Sequence, residues 1–341
     1  MRLQIDSDAL AGNWRALDKL SGQAVAGAAV KADAYGLGSE RVSATLLAAG
    51  CRDFFVAHWS EVPALLRHVP AEAIAVLHGP NNAQEVRFAR ETGVRPVLNS
   101  LHQIGLWRNG GGGPCHVMVD TGMNRLGLEK ADLSSELLSG LQIDICMSHL
   151  ASADEDTSQN DEQLAAFAQL RSVIAARRYS LANSAGIALG GAFHADVTRP
   201  GIALYGGIAR AELAGHIRQV ARPEAAVLQI RTLQAGDKVG YNALFQADRE
   251  MRVGTLAIGY ADGFLRCWTG RGCFHWNGRR APTLGRISMD LTIVDLSDLP
   301  DCREGDWLSA AYDLPSSARS TGLSQYELLT LLGRRFSRGG A

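Results

Sequence analysis

Over roughly the first 220 residues, short apolar runs alternate with stretches whose apolar residues recur every three or four positions, the pattern of strands interleaved with helices. A short strand (Leu3 to Ile5) leads to a helix capped by Asp6 or Ser7, with Leu10, Trp14 and Leu17 on its apolar face. Strands are then expected at Ala24 to Val30, Asp53 to Ala57, Ala73 to Leu77, Val94 to Leu98, Cys115 to Val119, Ile143 to Met147, Ser180 to Asn183 and Ile202 to Tyr205. Helical patterns lie between them, among them Arg41 to Ala49, Glu61 to Arg67, Gln84 to Thr92 and Gln159 to Arg178. Eight strands alternating with helices over this length predict an α/β fold, a (β/α)8 TIM-like barrel. A doubly wound dinucleotide sheet fits less well, because no GxGxxG follows the first strand. The glycines from Gly110 to Gly113 read as a loop between a barrel helix and its next strand.

The pattern changes after about Gln219. Short β-rich segments (Ala225 to Thr232, Met251 to Ile258, Cys273 to Trp276, Met289 to Val294, Trp307 to Ser309) are separated by Gly, Asp and Pro turns. The expected division is a barrel over 1–220 and a C-terminal mostly-β domain over 221–341, which the first short strand is free to join.

Composition narrows the function classes. The 341 residues are 46% hydrophobic, enough for large globular cores, and the net charge of −1 offers no electrostatic footprint for nucleic acid or an anionic membrane. Residues 1–6 lack the apolar core of a signal peptide, and no run of about eighteen apolar residues occurs, so the expected location is the cytoplasm. The six cysteines form no CxxC and no metal-ligand grouping with histidine, which predicts reduced thiols and no metal.

Candidate chemistry begins at Lys31. A lysine ending a buried parallel strand is partly desolvated, which lowers its pKa and frees the neutral amine to attack a carbonyl or hold one as a Schiff base. A snorkelling surface lysine fits the same strand end. Further motifs also fall at strand ends, where barrel loops converge on ligands: Asp120-Thr121-Gly122-Met123-Asn124-Arg125, Ser148-His149, Asn183-Ser184-Ala185-Gly186 and Thr198-Arg199-Pro200-Gly201-Ile202.

Together with Val30-Lys31-Ala32-Asp33-Ala34-Tyr35-Gly36-Leu37-Gly38, these segments resemble the signatures of barrel-type alanine racemases, which depend on pyridoxal 5'-phosphate (PLP). In that family Asn is commoner at Asp33 and His at Leu37. The resemblance implies that Lys31 carries the cofactor and acts as one catalytic base, and that Tyr35, Arg125, His149, Ser184, Arg199, Gly201 and Ile202 bind it. Arg125 would also contact the substrate carboxylate. Many family members steady that arginine with a carbamylated lysine seven residues earlier. Met118 stands there and cannot be carbamylated, so something else must hold Arg125. Arg199 would face the pyridine nitrogen; a guanidinium bonds that nitrogen without protonating it, which favours simple proton exchange at Cα.

The β domain continues the resemblance. Gly236-Asp237-Lys238-Val239-Gly240-Tyr241-Asn242 resembles the segment whose tyrosine serves as the second base, on the opposite face of the substrate. Ile258-Gly259-Tyr260-Ala261-Asp262-Gly263 and Gly285-Arg286-Ile287-Ser288-Met289-Asp290 resemble the segments that contact the substrate, here through Tyr260, Met289 and Asp290, leaving room for a side chain near methyl size. The implied protein is a homodimer in which Tyr241 reaches the partner's barrel, interconverting L-alanine and D-alanine to supply peptidoglycan. Racemisation of another small amino acid such as serine, decarboxylation or aldol cleavage on the same barrel, or a non-catalytic PLP-carrier role, are the other readings. Carriers of this type resemble the barrel alone.

Overall fold

Phe54, Phe55, Val56, Ile74 and Val76 are all buried, so their strands expose neither face to water, as strands between a barrel lumen and a ring of helices must. The computed structural model describes residues 1–338 and divides into two compact units: Ser7–Arg218, and Met1–Asp6 together with the chain from Gln219.

The chain opens with β1 (Arg2–Ile5), which belongs to the second unit. The first unit then runs β2 (Val25–Ala26), β3 (Ala28–Ala29), β4 (Phe54–Val56), β5 (Ile74–Val76), β6 (Arg95–Leu98), β7 (Pro114–Met118), β8 (Gln142–Met147), β9 (Arg178–Ser180) and β10 (Val197–Thr198). β3 to β9 pair in parallel in sequence order. The ring is closed by β10, which pairs in parallel with β2. On its other side, the Asp196 and Arg199 N–H groups donate to the Tyr179 and Ala182 carbonyls at 2.9 and 2.8 Å. The expected strand from Ala24 to Val30 is broken at Gly27, where a Cβ would lie 2.8 Å from both the Asp53 carbonyl and the Phe55 ring. Phe55, Ala75, Val97, Met118, Ile145, Met147 and Val197 fill the lumen, so the barrel is packed rather than open.

Two expected strands need correction. Ile202–Tyr205 is a 3-10 helix, and the eighth strand is the two-residue β10 that precedes it. Four consecutive apolar residues fit either element, and Pro200, which lacks an N–H, ends the ladder before them. The seventh strand is Arg178–Ser180, ending before Asn183, which instead caps the short helix Ser184–Ala188 by accepting the Gly186 N–H at 2.9 Å. The helix Ser7–Leu20 buries Leu10, Trp14 and Leu17 as expected, whereas the helix that begins at Ser158 stops at Val173.

The second unit contains β11 (Ala221–Leu233), β12 (Lys238–Val239), β13 (Phe245–Gln246), β14 (Met251–Leu256), β15 (Cys273–Trp276), β16 (Arg279–Leu284), β17 (Thr292–Asp295) and β18 (Trp307–Ala310). Its antiparallel sheet runs β1-β11-β14-β17-β16-β15-β18, and the long β11 also pairs with β18, closing the sheet on itself. The β12–β13 hairpin carries residues 240–244 at its tip, and its base packs Val239 and Phe245 against Met251, Val253 and Leu284. Among the described residues, no helix is long and apolar enough to cross a membrane and no His, Cys, Asp or Glu cluster could hold a metal ion.

Candidate active site

Lys31 stands at the C-terminal end of β3, and the chain beyond it turns the wrong way for L-residues. Ala32, Asp33, Ala34 and Tyr35 have φ of 55°, 52°, 52° and 57°, a left-handed turn built without glycine. Each such residue costs roughly 1–2 kcal/mol, so the surroundings must hold the turn. The Ala34 N–H donates to the Val30 carbonyl at 2.9 Å, and the Asp33 side chain accepts the Ser39 N–H at 2.7 Å at the start of the next helix. Ala34 and Leu37 are fully buried, which anchors the turn from below. The short side chain of Asp33 thus has a structural use.

The turn delivers Tyr35 to the loops after β9 and β10. Its ring stacks on Tyr205, whose hydroxyl donates to the Ala29 carbonyl at 2.8 Å. Across from it, the Ser184 hydroxyl oxygen accepts the Gly201 and Ala203 N–H groups at 2.9 and 3.3 Å, leaving its own proton available to a ligand. A Cβ on Gly201 would come within 2.3 Å of the Tyr35 hydroxyl, so any larger residue there must displace Tyr35. The first turns of the short helices at Ser184 and Ile202 have no internal acceptors for their N–H groups; Asn183 takes that of Gly186 and Ser184 that of Ala203. Hydroxyls, a side-chain-free approach and helix-start N–H groups together form a cradle suited to a phosphate.

Arg199 is buried on the β10 side. Its guanidinium donates to the Ser180 hydroxyl and the Ser148 carbonyl, and more weakly to the Leu181 carbonyl at 3.5 Å. Burial pulls its pKa down to about 10, still a cation at neutral pH. His149, half-buried at the end of β8, is pushed down to about 3, first by burial and then by the charges of Arg199, Arg125 and Lys31. It is therefore neutral, with its carbonyl accepting from Gln163 at 2.9 Å. The Lys31 pKa is lowered, mostly by burial, next by Arg125, with Arg199 adding and Glu61 opposing. Lys31, Arg125, His149 and Arg199 thus lie within electrostatic reach of one another at one end of the barrel.

Arg125 sits in a loop folded around Asp120. That carboxylate accepts the Gly122 and Met123 N–H groups at 2.8 and 2.9 Å and the Arg125 N–H at 3.0 Å. Burial would raise the Asp120 pKa, but these bonds hold it below the usual carboxylate value. The main chain of Arg125 is fixed in this way, while its side chain is exposed. Met118 gives it no support, because the methionine packs into the barrel lumen.

The remaining candidates lie in the second unit and are brought together there. The Tyr260 and Ala261 N–H groups donate to the Ser288 and Met289 carbonyls, each at 3.0 Å. Arg335 joins the same two segments, donating to Asp262 and to Asp290 at 2.8 Å each. Asp262 also accepts the Gly259 N–H at 3.0 Å. Tyr260 lies under the Arg266 guanidinium, 5.0 Å from its ring centre. Tyr241, at the hairpin tip, is 64% exposed, and Met289 is 53% exposed. An ideal Cβ on Gly240 would lie 3.8 Å from the Arg286 backbone, which puts the hairpin tip beside the Met289 segment.

Sequence reasoning missed Glu61, Tyr205 and Arg335. No local pattern marks them: the contacts Glu61–Ala32, Tyr205–Tyr35 and Arg335–Asp262 all join residues far apart in sequence.

Comparison with known proteins gives a consistent picture. The family model described as alanine racemase, N-terminal domain, matches residues 5–209, and that for the alanine racemase C-terminal domain matches residues 220–339. An alanine racemase of Acidiphilium cryptum is 42% identical, covering 98% of this chain and 97% of that protein. A biosynthetic alanine racemase of Agrobacterium fabrum is 41% identical, covering 99% and 93%. The crystal structure of alanine racemase from Bartonella henselae with covalently bound pyridoxal phosphate superposes with a TM-score of 0.89 at 37% identity, covering 98% of each chain. With both units matched by the two family domains and near-complete coverage of relatives above 40% identity, the chain belongs to the alanine racemase family.

Proposed function

We propose that Lys31 and Tyr241 are the two bases of the alanine racemisation that this family carries out, and that Tyr241 acts on the barrel of a partner subunit. Interconversion of L-alanine and D-alanine is the activity of the chain as a member of that family, with PLP as its cofactor. The observation that carries the residue assignment is the gathering of a desolvated lysine, a buried arginine, a neutral histidine and a phosphate-shaped cradle at one barrel end.

The residues present fit PLP. Ser184, Tyr35 and the backbone at Gly201 and Ile202 would hold its phosphate, His149 would pack against its ring, and Arg199 would bond the ring nitrogen. When bound, the cofactor delocalises the electron pair left when Cα loses its proton. Lys31, whose pKa burial and Arg125 lower, would take or return that proton on one face. Tyr241 holds or returns it on the other. Arg125 binds the substrate carboxylate through its planar fork. Arg199 keeps its own proton, so the ring is not turned into a strong electron sink and side reactions are disfavoured. Tyr260, Met289 and Asp290 shape a pocket for a methyl-sized side chain.

A homodimer is supported by the exposure of Tyr241 and Met289, catalytic and substrate-contacting side chains that a single subunit leaves largely open to solvent. A cytoplasmic location is supported by six cysteines that all stand as free thiols, five of them buried. Supply of D-alanine for peptidoglycan is the role we assign. A match to the family's C-terminal domain argues against a carrier protein built from the barrel alone.

Replacing Lys31 with Ala should abolish racemisation in both directions. Tyr241→Phe should slow it by about 10²-fold or more while leaving cofactor absorbance in place. Unchanged rates in Tyr241→Phe would remove the tyrosine from the mechanism.

A further inference from the structure

Glu61 lies outside every motif assigned to the reaction, yet its carboxylate joins the exits of two neighbouring barrel strands. Oε2 accepts the Ala57 and His58 N–H groups, at 2.7 and 3.0 Å, where the chain leaves β4. The His58 bond is part of an ordinary helix cap. Oε1 is used differently: it reaches across to accept the N–H of Ala32, the peptide directly after Lys31 and the first residue of the left-handed turn. On the other side of the lysine, the Val30 N–H donates to the Phe55 carbonyl of β4 at 2.9 Å. The backbone of Lys31 is therefore gripped from β4 on both sides, once by main chain and once by the Glu61 side chain.

We propose that Glu61 is a positioning residue for Lys31: it latches the left-handed turn to the end of β4, fixing the direction of the amine and supplying a compensating negative charge beside it. The proposal rests on the reading of Lys31 as the reactive amine. The charged and titratable groups facing Lys31 are Arg125 from the loop after β7, Arg199 after β10, His149 after β8 and His78 after β5, with Glu61 the acid opposed to the two arginines. His78, held low by burial, by His58 and by Lys31 itself, leaves Glu61 to balance the cations. Aspartate is one methylene shorter and cannot span both strand ends. Glutamine keeps the length, loses the charge and has one acceptor oxygen for what are now two sets of donors.

The chain has four lysines, Lys19, Lys31, Lys130 and Lys238, so the cofactor-free full chain labelled with 13C-lysine gives few signals, and Lys31→Arg identifies that of Lys31. In Glu61→Gln the Lys31 titration should move to lower pH, and kcat for L-alanine in the PLP-loaded enzyme should fall about tenfold or more with KM within about twofold. Glu61→Asp should keep the Lys31 titration near its original position while kcat still falls, because charge remains and reach does not. A Glu61→Gln variant with an unchanged Lys31 titration overturns the proposal, whether its kcat is intact or its thermal stability alone has dropped. Full turnover in Lys31→Ala would instead overturn the reading of Lys31 on which the proposal stands.

Discussion

Tyr35 and Tyr205 stack with ring centres 4.6 Å apart, and the stack holds the Tyr35 hydroxyl against Gly201, where a Cβ would come within 2.3 Å of it. Gly201 has an ordinary negative φ, so space rather than backbone conformation demands glycine there. In Gly201→Ala the new methyl would push Tyr35 away, and cofactor affinity should fall by about tenfold or more, as for loss of one to two charge-assisted bonds. Tyr35→Phe removes the clashing oxygen and should restore part of the loss in the double variant. Spectrophotometric titration with PLP measures both, and equal affinity in wild type and Gly201→Ala would contradict this geometry.

The left-handed turn after Lys31 makes a reversed prediction about glycine. At an ordinary exposed site Ala→Gly destabilises, but Ala32 is exposed with φ of 55°. Ala32→Gly should be neutral or stabilise by about 0.5 kcal/mol, whereas Ala32→Val should cost on the order of 1–2 kcal/mol because a β-branched side chain fits this region poorly. Urea unfolding of the two variants gives the comparison.

Much of this barrel was legible in its sequence, and the exceptions have physical causes. Lys31 follows a strand of small and β-branched residues, and the strands at Phe54–Val56, Ile74–Val76 and Gln142–Met147 lie within a residue or so of expectation, because burial on both faces writes a continuous apolar run. The strand expected at Ile202 to Tyr205 was misplaced for the same reason: its apolar run records burial, not the conformation adopted while buried. The left-handed turn is invisible, since Ala and Tyr give no sign of positive φ and a single Asp is too weak a one, and the Glu61 contact joins residues 29 apart in sequence. Local periodicity carries no information about such a contact.

Two buried histidines contribute to the response to acid. His116, only 3% exposed and bonded through Nδ1 to the Ile145 N–H at 3.1 Å, is pushed down to about 3, chiefly by burial, and His149 is also near 3. Because both folded pKa values lie below the ordinary 6.5, the unfolded chain binds more protons between about pH 3 and 6.5. Their contribution to stability is fully present above that window and is lost as pH falls through it, by up to about 1.4 kcal/mol per pH unit for each histidine. His116→Gln keeps an acceptor for Ile145 without the titration. It should reduce the slope of stability between pH 6 and 4 by about one proton, as read by urea unfolding at several pH values; an unreduced slope would show that His116 already titrates normally.

The central claim is that this chain exchanges the Cα proton of alanine between two faces, and it is tested most directly by incubating the PLP-loaded protein with L-alanine in D2O while following optical rotation and Cα deuterium together. The account predicts that rotation decays to zero with deuterium incorporated at Cα and no pyruvate or amine released. Persistent rotation with the cofactor bound, or loss of rotation accompanied by pyruvate or amine, would contradict it.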